Sequence, residues 1–277
     1  MRIITDTGSL FTPEEGRQRG IDVLPLNVIV NKKSYREFVD IQSKEFLDIV
    51  KAGNIPSSSQ PSIGEVMEIF EKYTDEDILV INMADGLSGT YQSVLGVKET
   101  MEHGDNIHVM NSMTLCGPQR YLVEKAIGLK EKGFHLEKIR QELYKSIASE
   151  RSFLIPQDFG FLKRGGRLTP LAATVGGMLK ITPVMIKTKD AKRLEKYTIK
   201  KTLKMAVKEV IKSFQEMNVD ENYKIYVSHA GVLDQAKSVV HQIQNTFQNV
   251  AVELYDLSPV FIAQGGPGCI AIQTIRM

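Results

Sequence analysis

Three hydroxyl-rich loops carry the residues best suited to chemistry: Asp6-Thr7, Ser57 to Ser62, and Ser88 to Ser93. None contains a His, Lys or Arg. Such loops donate hydrogen bonds to a carboxylate or phosphate, helped by the free N–H groups of a following helix. Capping by Ser and Thr explains any one of them without a ligand, but three in one half of the chain favour a site. Motifs for covalent chemistry are incomplete. Asp6-Thr7-Gly8-Ser9 matches the aspartic-protease tetrapeptide, yet that chemistry needs two carboxylates sharing a proton, and no second copy occurs. Gly86-Leu87-Ser88-Gly89 stops one residue short of a nucleophile elbow. A Ser88 nucleophile would need a base, and of the five histidines only His229, at the end of a strand, is placed to be one. A serine hydrolase or transferase using Ser88 and His229 is therefore the alternative to a binding protein.

The second half adds cations and glycines. Arg164 and Arg167 flank Gly165-Gly166, where the backbone can come close to a ligand and Arg can grip an anion bidentately. Gln264-Gly265-Gly266-Pro267-Gly268 is too Gly-dense for an ordinary turn; it tightens the start of a strand or admits something beside the backbone. Met178 and Met185 are candidates to line an apolar pocket. The basic stretch Lys187 to Lys204, interrupted by Asp190 and Glu195, reads as a solvated hairpin.

The 35 Lys+Arg against 33 Asp+Glu leave a net charge of +2, which argues against nucleic acid as a partner. With only Cys116 and Cys269, and no CxxC or Cys/His cluster, neither a disulfide framework nor a zinc site is expected. A Walker loop and a Rossmann glycine triad are also missing, so no metal or cofactor is expected. Met1 to Thr7 carries a base and an acid and does not read as a signal peptide. No apolar run approaches the roughly 18 residues of a membrane span, so no stable membrane insertion is expected. Together with the cysteine usage this points to the cytoplasm.

These loops need elements to position them. Ile3 to Thr5, Ile78 to Ile81 and Ile107 to Met110 read as buried strands, with Ile21 to Val30 a further one broken by Pro25. Helices are expected around Phe46 to Val50, after the Ser62/Glu65 capping box, from the Ser88 loop to Met101, over Gly117 to Lys130, and over Leu136 to Ile147. Strands alternating with helices predict a doubly wound, mostly parallel α/β domain over residues 1–150. Beyond it come a strand at Ser152 to Ile155, a turn at Lys163 to Thr169, and a hairpin from Ile181 to Ile199 about Asp190. A helix through Val210, strands at Ile225 to Ser228, Val250 to Leu257 and Gly268 to Ile275, and a helix over Asp234 to Ile243 complete the pattern. Residues 151–277 are therefore expected to form an α+β domain with an antiparallel sheet.

In order along the chain, these motifs resemble the DegV family of fatty-acid-binding proteins. The likeness rests on Thr5-Asp6-Thr7, on Ser58-Ser59-Gln60-Pro61-Ser62 where the family has Thr-Ser-Gln-Pro-Ser, and on Leu87-Ser88-Gly89-Thr90-Tyr91-Gln92-Ser93. It continues through Leu162-Lys163-Arg164-Gly165-Gly166-Arg167-Leu168 and closes with Gly266-Pro267-Gly268. The resemblance implies a long-chain fatty acid in a slot between two domains, its carboxylate held by hydroxyls at Ser58 and Ser88. Ser59, Gly89, Thr90, Arg167, Gln264 and Gly265 complete the implied ligand-binding set. It further implies a non-catalytic carrier that presents the carboxylate to a separate fatty acid kinase subunit. Two positions depart from the family pattern. Ser58 lacks the methyl of the family Thr, and Gln264 stands where a His usually precedes Gly-Pro-Gly. Gln hydrogen-bonds a carboxylate but moves no proton, so lipid binding survives that change better than a part in phosphoryl transfer.

Overall fold

The computed structural model describes residues 1–174 and 181–277. Strand β1 (Arg2–Asp6) is followed by α1 (Pro13–Gln18), β2 (Asp22–Leu24), β3 (Asn27–Val30) and β4 (Lys33–Arg36). Then come α2 (Ser43–Lys51), β5 (Ser57–Ser59), α3 (Ile63–Glu71), β6 (Ile78–Asn82), α4 (Thr90–Lys98) and β7 (Ile107–Asn111). Helices α5 (Cys116–Glu131) and α6 (Leu136–Ile147) lead to β8 (Arg151–Ile155) and α7 (Phe159–Gly165). The remainder is β9 (Thr182–Lys187), β10 (Leu194–Lys200), α8 (Leu203–Glu216), β11 (Tyr223–His229), α9 (Leu233–Gln244), β12 (Ala251–Asp256), α10 (Pro259–Gly265) and β13 (Ile270–Arg276).

The first sheet has the order β2-β1-β6-β7 and is wholly parallel. Alternation along its strands sends Ile4, Ile78 and Val80 to one face, against Val66 and Phe70 of α3 and Val94 of α4. Ile3, Leu79 and Ile81 go to the other, against Leu122, Val123 and Ala126 of α5. Both faces are covered, as the continuous apolar runs require. The second sheet has the order β10-β9-β8-β13-β11-β12 and is antiparallel except for β11 with β12. One face buries Phe153, Ile270 and Ile272 under α8 and α9. The expected fold classes for the two halves are thus the ones observed. No helix among the described residues is long and apolar enough to cross a membrane.

Three local readings need correction. Ser57 to Ser59 is not a loop: it is an edge strand pairing antiparallel with β3 in a small sheet of order β4-β3-β5. A run of three serines carries no apolar alternation to betray a strand. The chain near Lys163 is not a turn but the end of α7, which stops at Gly166 in the left-handed conformation (φ 70°). Likewise the residues before Gly266 form α10, a buried seven-residue helix opened by Pro259. Pro25 does break its segment, and the two pieces join different sheets.

Packing runs across residue 150. Tyr226 and Ile275 of the second sheet share a cluster with Ile3 and Leu122. Leu26, Val28 and Phe46 pack with Phe261, Ile262 and Cys269. Helix α5 begins against the second sheet, where a side chain at Gly117 would run into the Tyr226 ring.

Candidate functional site

A cavity of about 550 Å³ lies where β5, the β6–α4 loop, α10 and the inner face of the second sheet meet. That volume falls within the range of small-molecule sites. Most of its wall is hydrocarbon, including Leu26, Leu115, Leu154, Leu162, Val260 and Phe261. The rim is polar. Ser58, Ser59 and Gln60 come from β5 and its exit, Ser88 and Gly89 from the β6–α4 loop, and Arg167, Gln264 and Gly265 from the second half.

Each rim residue is set by its neighbours. Strand alternation turns Ser58 inward and leaves Ser57 and Ser59 exposed. Gln264 Nε2 donates to Ser58 Oγ at 2.9 Å. Because that bond uses Ser58 as an acceptor, its own O–H is left to donate elsewhere. Ser88 Oγ lies 2.8 Å from Thr90 Oγ1 and accepts from the Thr90 N–H at 3.3 Å. The two hydroxyl loops touch: a Cβ at Gly89 would sit 2.5 Å from Gln60 Oε1, so a side chain there would push the Gln60 amide away from the Ser88 loop. Gly165 is glycine for a similar reason, since a Cβ there would strike Gln264 Oε1.

Arg167 holds the two halves of the rim together. Its Nε donates to the Leu87 carbonyl at 3.1 Å, and a terminal nitrogen donates to the Gly165 carbonyl. No carboxylate among the described residues lies within 4 Å of it. Desolvation, with Arg193 nearby, lowers its pKa from the usual arginine value. A partly buried guanidinium whose side-chain bonds go only to carbonyls has the charge and the donors to hold an anion.

Of the eight residues expected to bind ligand, seven line this cavity: Ser58, Ser59, Ser88, Gly89, Arg167, Gln264 and Gly265. Thr90 does not; it is fully buried and acts on Ser88. Arg164 stays on the surface over the Phe161 ring. Met185 packs with Leu162 and Leu168 rather than on the cavity, and Met178 lies outside the described residues. The hydrolase pairing is not formed. Ser88 bonds to Thr90, whereas His229 is buried at the end of β11 with its Nδ1 3.4 Å from Asp256 Oδ1. His229 is not among the cavity-lining residues.

Other polar residues were hidden from sequence reading. Asp6 is no protease acid: it accepts from the Gly8 and Met83 N–H groups and from Asn82 and Gln119 side chains, at 2.9 to 3.1 Å. Burial raises its pKa. Glu37, also fully buried, accepts from Thr7 Oγ1 and, at 2.9 Å, from the Val260 N–H at the start of α10. Burial pushes its pKa up to about 7. Lys187 is not part of a solvated hairpin; it lines the cavity and pairs with buried Glu150 at 2.6 Å. The exposed Lys189, Lys192 and Lys204 fit the solvated reading. A Glu in the polar segment Lys33 to Asp40 gives no sequence signal for burial.

The DegV family model, described as "Uncharacterised protein, DegV family", matches residues 1–277. A DegV domain-containing protein of Listeria monocytogenes is 30% identical over 275 residues, covering 98% of this chain and 96% of that protein. A solved DegV family protein of Thermus thermophilus, described by its fatty acid binding, superposes with a TM-score of 0.90 at 24% identity, covering 100% of both chains. A stearic acid-binding protein of Eubacterium ventriosum gives a TM-score of 0.88 at 21% identity, covering 100% of this chain and 98% of that one. Whole-chain agreement in sequence and in the arrangement of both sheets places the chain in the DegV family.

Proposed function

We propose that this protein binds one long-chain fatty acid, hydrocarbon inward and carboxylate at the Ser58/Ser88 rim. The observation that carries the reading is a mostly apolar cavity in which the Ser58 and Ser88 hydroxyls stand with an unneutralised arginine. At roughly 0.8 kcal/mol per buried CH₂, a chain of about 14 methylenes gives on the order of 11 kcal/mol of gross transfer energy. Ordering the chain takes back much of it. A carboxylate leaving water needs full hydrogen bonding. Ser58 can donate, Ser88 can donate when Thr90 Oγ1 donates to it, and Arg167 supplies charge. Solved relatives described as fatty acid and stearic acid binders support the same ligand class.

The protein acts as a carrier rather than a catalyst, since the described lining holds no histidine and Ser88 has no base. Residues 1–150 supply the hydroxyl loops and residues 151–277 close the acyl cavity. Ser59, Gln60 and Ser62 are exposed around the rim, so a bound carboxylate stays within reach of a partner kinase that would form the acyl phosphate. The free, buried thiols of Cys116 and Cys269 suit a reducing cytoplasm.

The carboxylate assignment is tested with delipidated protein and a fluorescent fatty acid. Ser58→Ala/Ser88→Ala is expected to weaken binding by about 30-fold, from two lost hydrogen bonds of about 1 kcal/mol each. Unchanged affinity would overturn the assignment. Mixing loaded protein with a fatty acid kinase subunit and ATP tests presentation, with acyl phosphate as the product sought.

A further inference from the structure

Behind the cavity wall lies a buried acid that is not itself among the lining residues. Glu37 and Asp6 are both fully buried, and neither forms an ion pair among the described residues. Two carboxyl groups so placed resist ionising together, because each charge is out of water and the two repel. Their hydrogen bonds decide which keeps its proton longer. Asp6 accepts from four N–H donors, those of Gly8, Met83, Asn82 and Gln119. Glu37 accepts from the Val260 N–H and the Thr7 hydroxyl, with the Ser258 hydroxyl beside it. Asp6, with more donors, takes the charge more readily, and burial lets Glu37 keep its proton up to near neutrality.

Glu37 stands one residue deep behind the cavity. Val260, whose N–H it accepts at 2.9 Å, lines the space. Leu26 lines it too, and its N–H is bonded to Thr7 Oγ1, the hydroxyl that donates to Glu37. Cys116 is a third lining residue that faces Glu37. Burial, then the Cys269 thiol and Glu37, hold its thiol well above the usual range. Asp6 at the end of β1 and Cys116 at the start of α5 are the titratable groups that face Glu37 among the described residues. Helix α10 and the segment Pro25 to Val30 carry none. Arg36 and Asp40, near it in the chain, are exposed and pair with each other.

A bound acyl chain puts hydrocarbon in place of water on the far side of Leu26, Val260 and Cys116. Its carboxylate comes to Gln264, four residues or about 6 Å along α10 from Val260. Lower polarity and a second negative charge both disfavour an ionised Glu37. Building on the fatty acid reading above, we propose that fatty acid binding is coupled to proton uptake at Glu37, so that affinity is highest with Glu37 protonated and falls as pH rises through neutrality. The sign follows from linkage: the loaded protein holds this proton to higher pH than the empty one, so ionising Glu37 favours release. At lower pH both states are protonated and affinity is level.

The test is the affinity of delipidated protein for hexadecanoic acid from about pH 6 to 9, where the ligand's own carboxyl group is ionised. With the Glu37 pKa ~1 higher in the loaded protein, the dissociation constant is about tenfold larger at the alkaline end, and about half a proton is taken up per ligand near pH 7.5. Calorimetry in two buffers of different ionisation enthalpy reads the uptake directly. Glu37→Gln mimics the protonated acid, an N–H replacing its O–H, and is expected to bind at every pH as the wild type does near pH 6, with no uptake. Should this variant fail to fold, infrared difference spectra of the wild type, with the ligand carboxyl group isotopically labelled, should show a protein carboxylate becoming a carboxylic acid on binding. A dissociation constant independent of pH, absence of proton uptake or absence of that infrared change overturns the coupling and leaves the fatty acid reading standing. So does a pH dependence that persists in Glu37→Gln. Absence of binding at every pH overturns both.

Discussion

Gln264 determines which way the Ser58 proton faces. By donating to Ser58 Oγ it leaves the serine O–H free to donate into the cavity, and Thr90 can do the same for Ser88. Two serines so arranged act as donors before a ligand arrives, which lowers the cost of ordering them on binding. Arg167 adds the charge. Arg167→Met is therefore expected to weaken a long-chain carboxylic acid by about tenfold, the scale of a charge-assisted hydrogen bond. The matching fatty alcohol should change little. Isothermal titration of the pair separates the roles, and an equal loss for both would reduce Arg167 to a packing residue. At this scale the sequence was informative. Ser58, Ser88, Arg167 and Gln264 stand in short motifs whose hydroxyls, glycines and cations are legible as binding chemistry. Lys187 was not, because a Lys flanked by other charges looks solvated whether or not Glu150, 37 residues away, waits beneath it.

At the scale of elements, α10 is the piece whose position matters most, since it carries Val260, Phe261 and Gln264 to the cavity. With seven residues it is too short to hold itself together. Its anchor is Glu37, which accepts the Val260 N–H and also reaches Thr7, whose hydroxyl accepts from the Leu26 N–H at 2.9 Å. Burial raises Glu37 from 4.5 to about 7, so the folded protein keeps a proton there that the unfolded chain releases. Stability therefore falls as pH rises from about 4.5 to 7 and levels off above that, a difference of about 3 kcal/mol. Glu37→Gln is expected to flatten the dependence of the urea midpoint on pH between about 5 and 8. Buried Asp6, raised in the same direction, leaves a residual slope of the same sign. An undiminished slope would show that Glu37 does not titrate there. Sequence periodicity found every strand of the parallel sheet but missed β5 and α10. Both are held by partners distant in the chain rather than by their own pattern: β3 for one, Glu37 for the other.

For the whole molecule, the cavity wall draws on both halves of the chain, from β5, the β6–α4 loop and α5 on one side and the second sheet, α7 and α10 on the other, so occupancy couples the halves. A fatty acid held at about 100 times its dissociation constant should add roughly 2.7 kcal/mol to unfolding. The gain should appear in a single transition when fluorescence and circular dichroism follow urea denaturation together. A first transition indifferent to ligand would show that one half unfolds without disturbing the cavity. Thiol labelling offers a parallel view. Cys116 and Cys269 both line the cavity, and burial raises both thiols, Cys269 to about 12. Their slow labelling should slow further when an acyl chain fills the space beside them. The sequence by itself determined the alternation of strands and helices, the two sheet types, and the hydroxyl loops that identify the family. Those features arise from residues close together in the chain: the two- and 3.6-residue periods, the Ser62 capping box and the Gly-containing turns. Only the tertiary structure decided that Gln264 orients Ser58, that Gln60 crosses Gly89, that Glu37 pins α10, and that Lys187 meets Glu150 at the cavity wall. Each of these joins groups from separate segments, and desolvation gives such contacts their energy only once packing has brought them together.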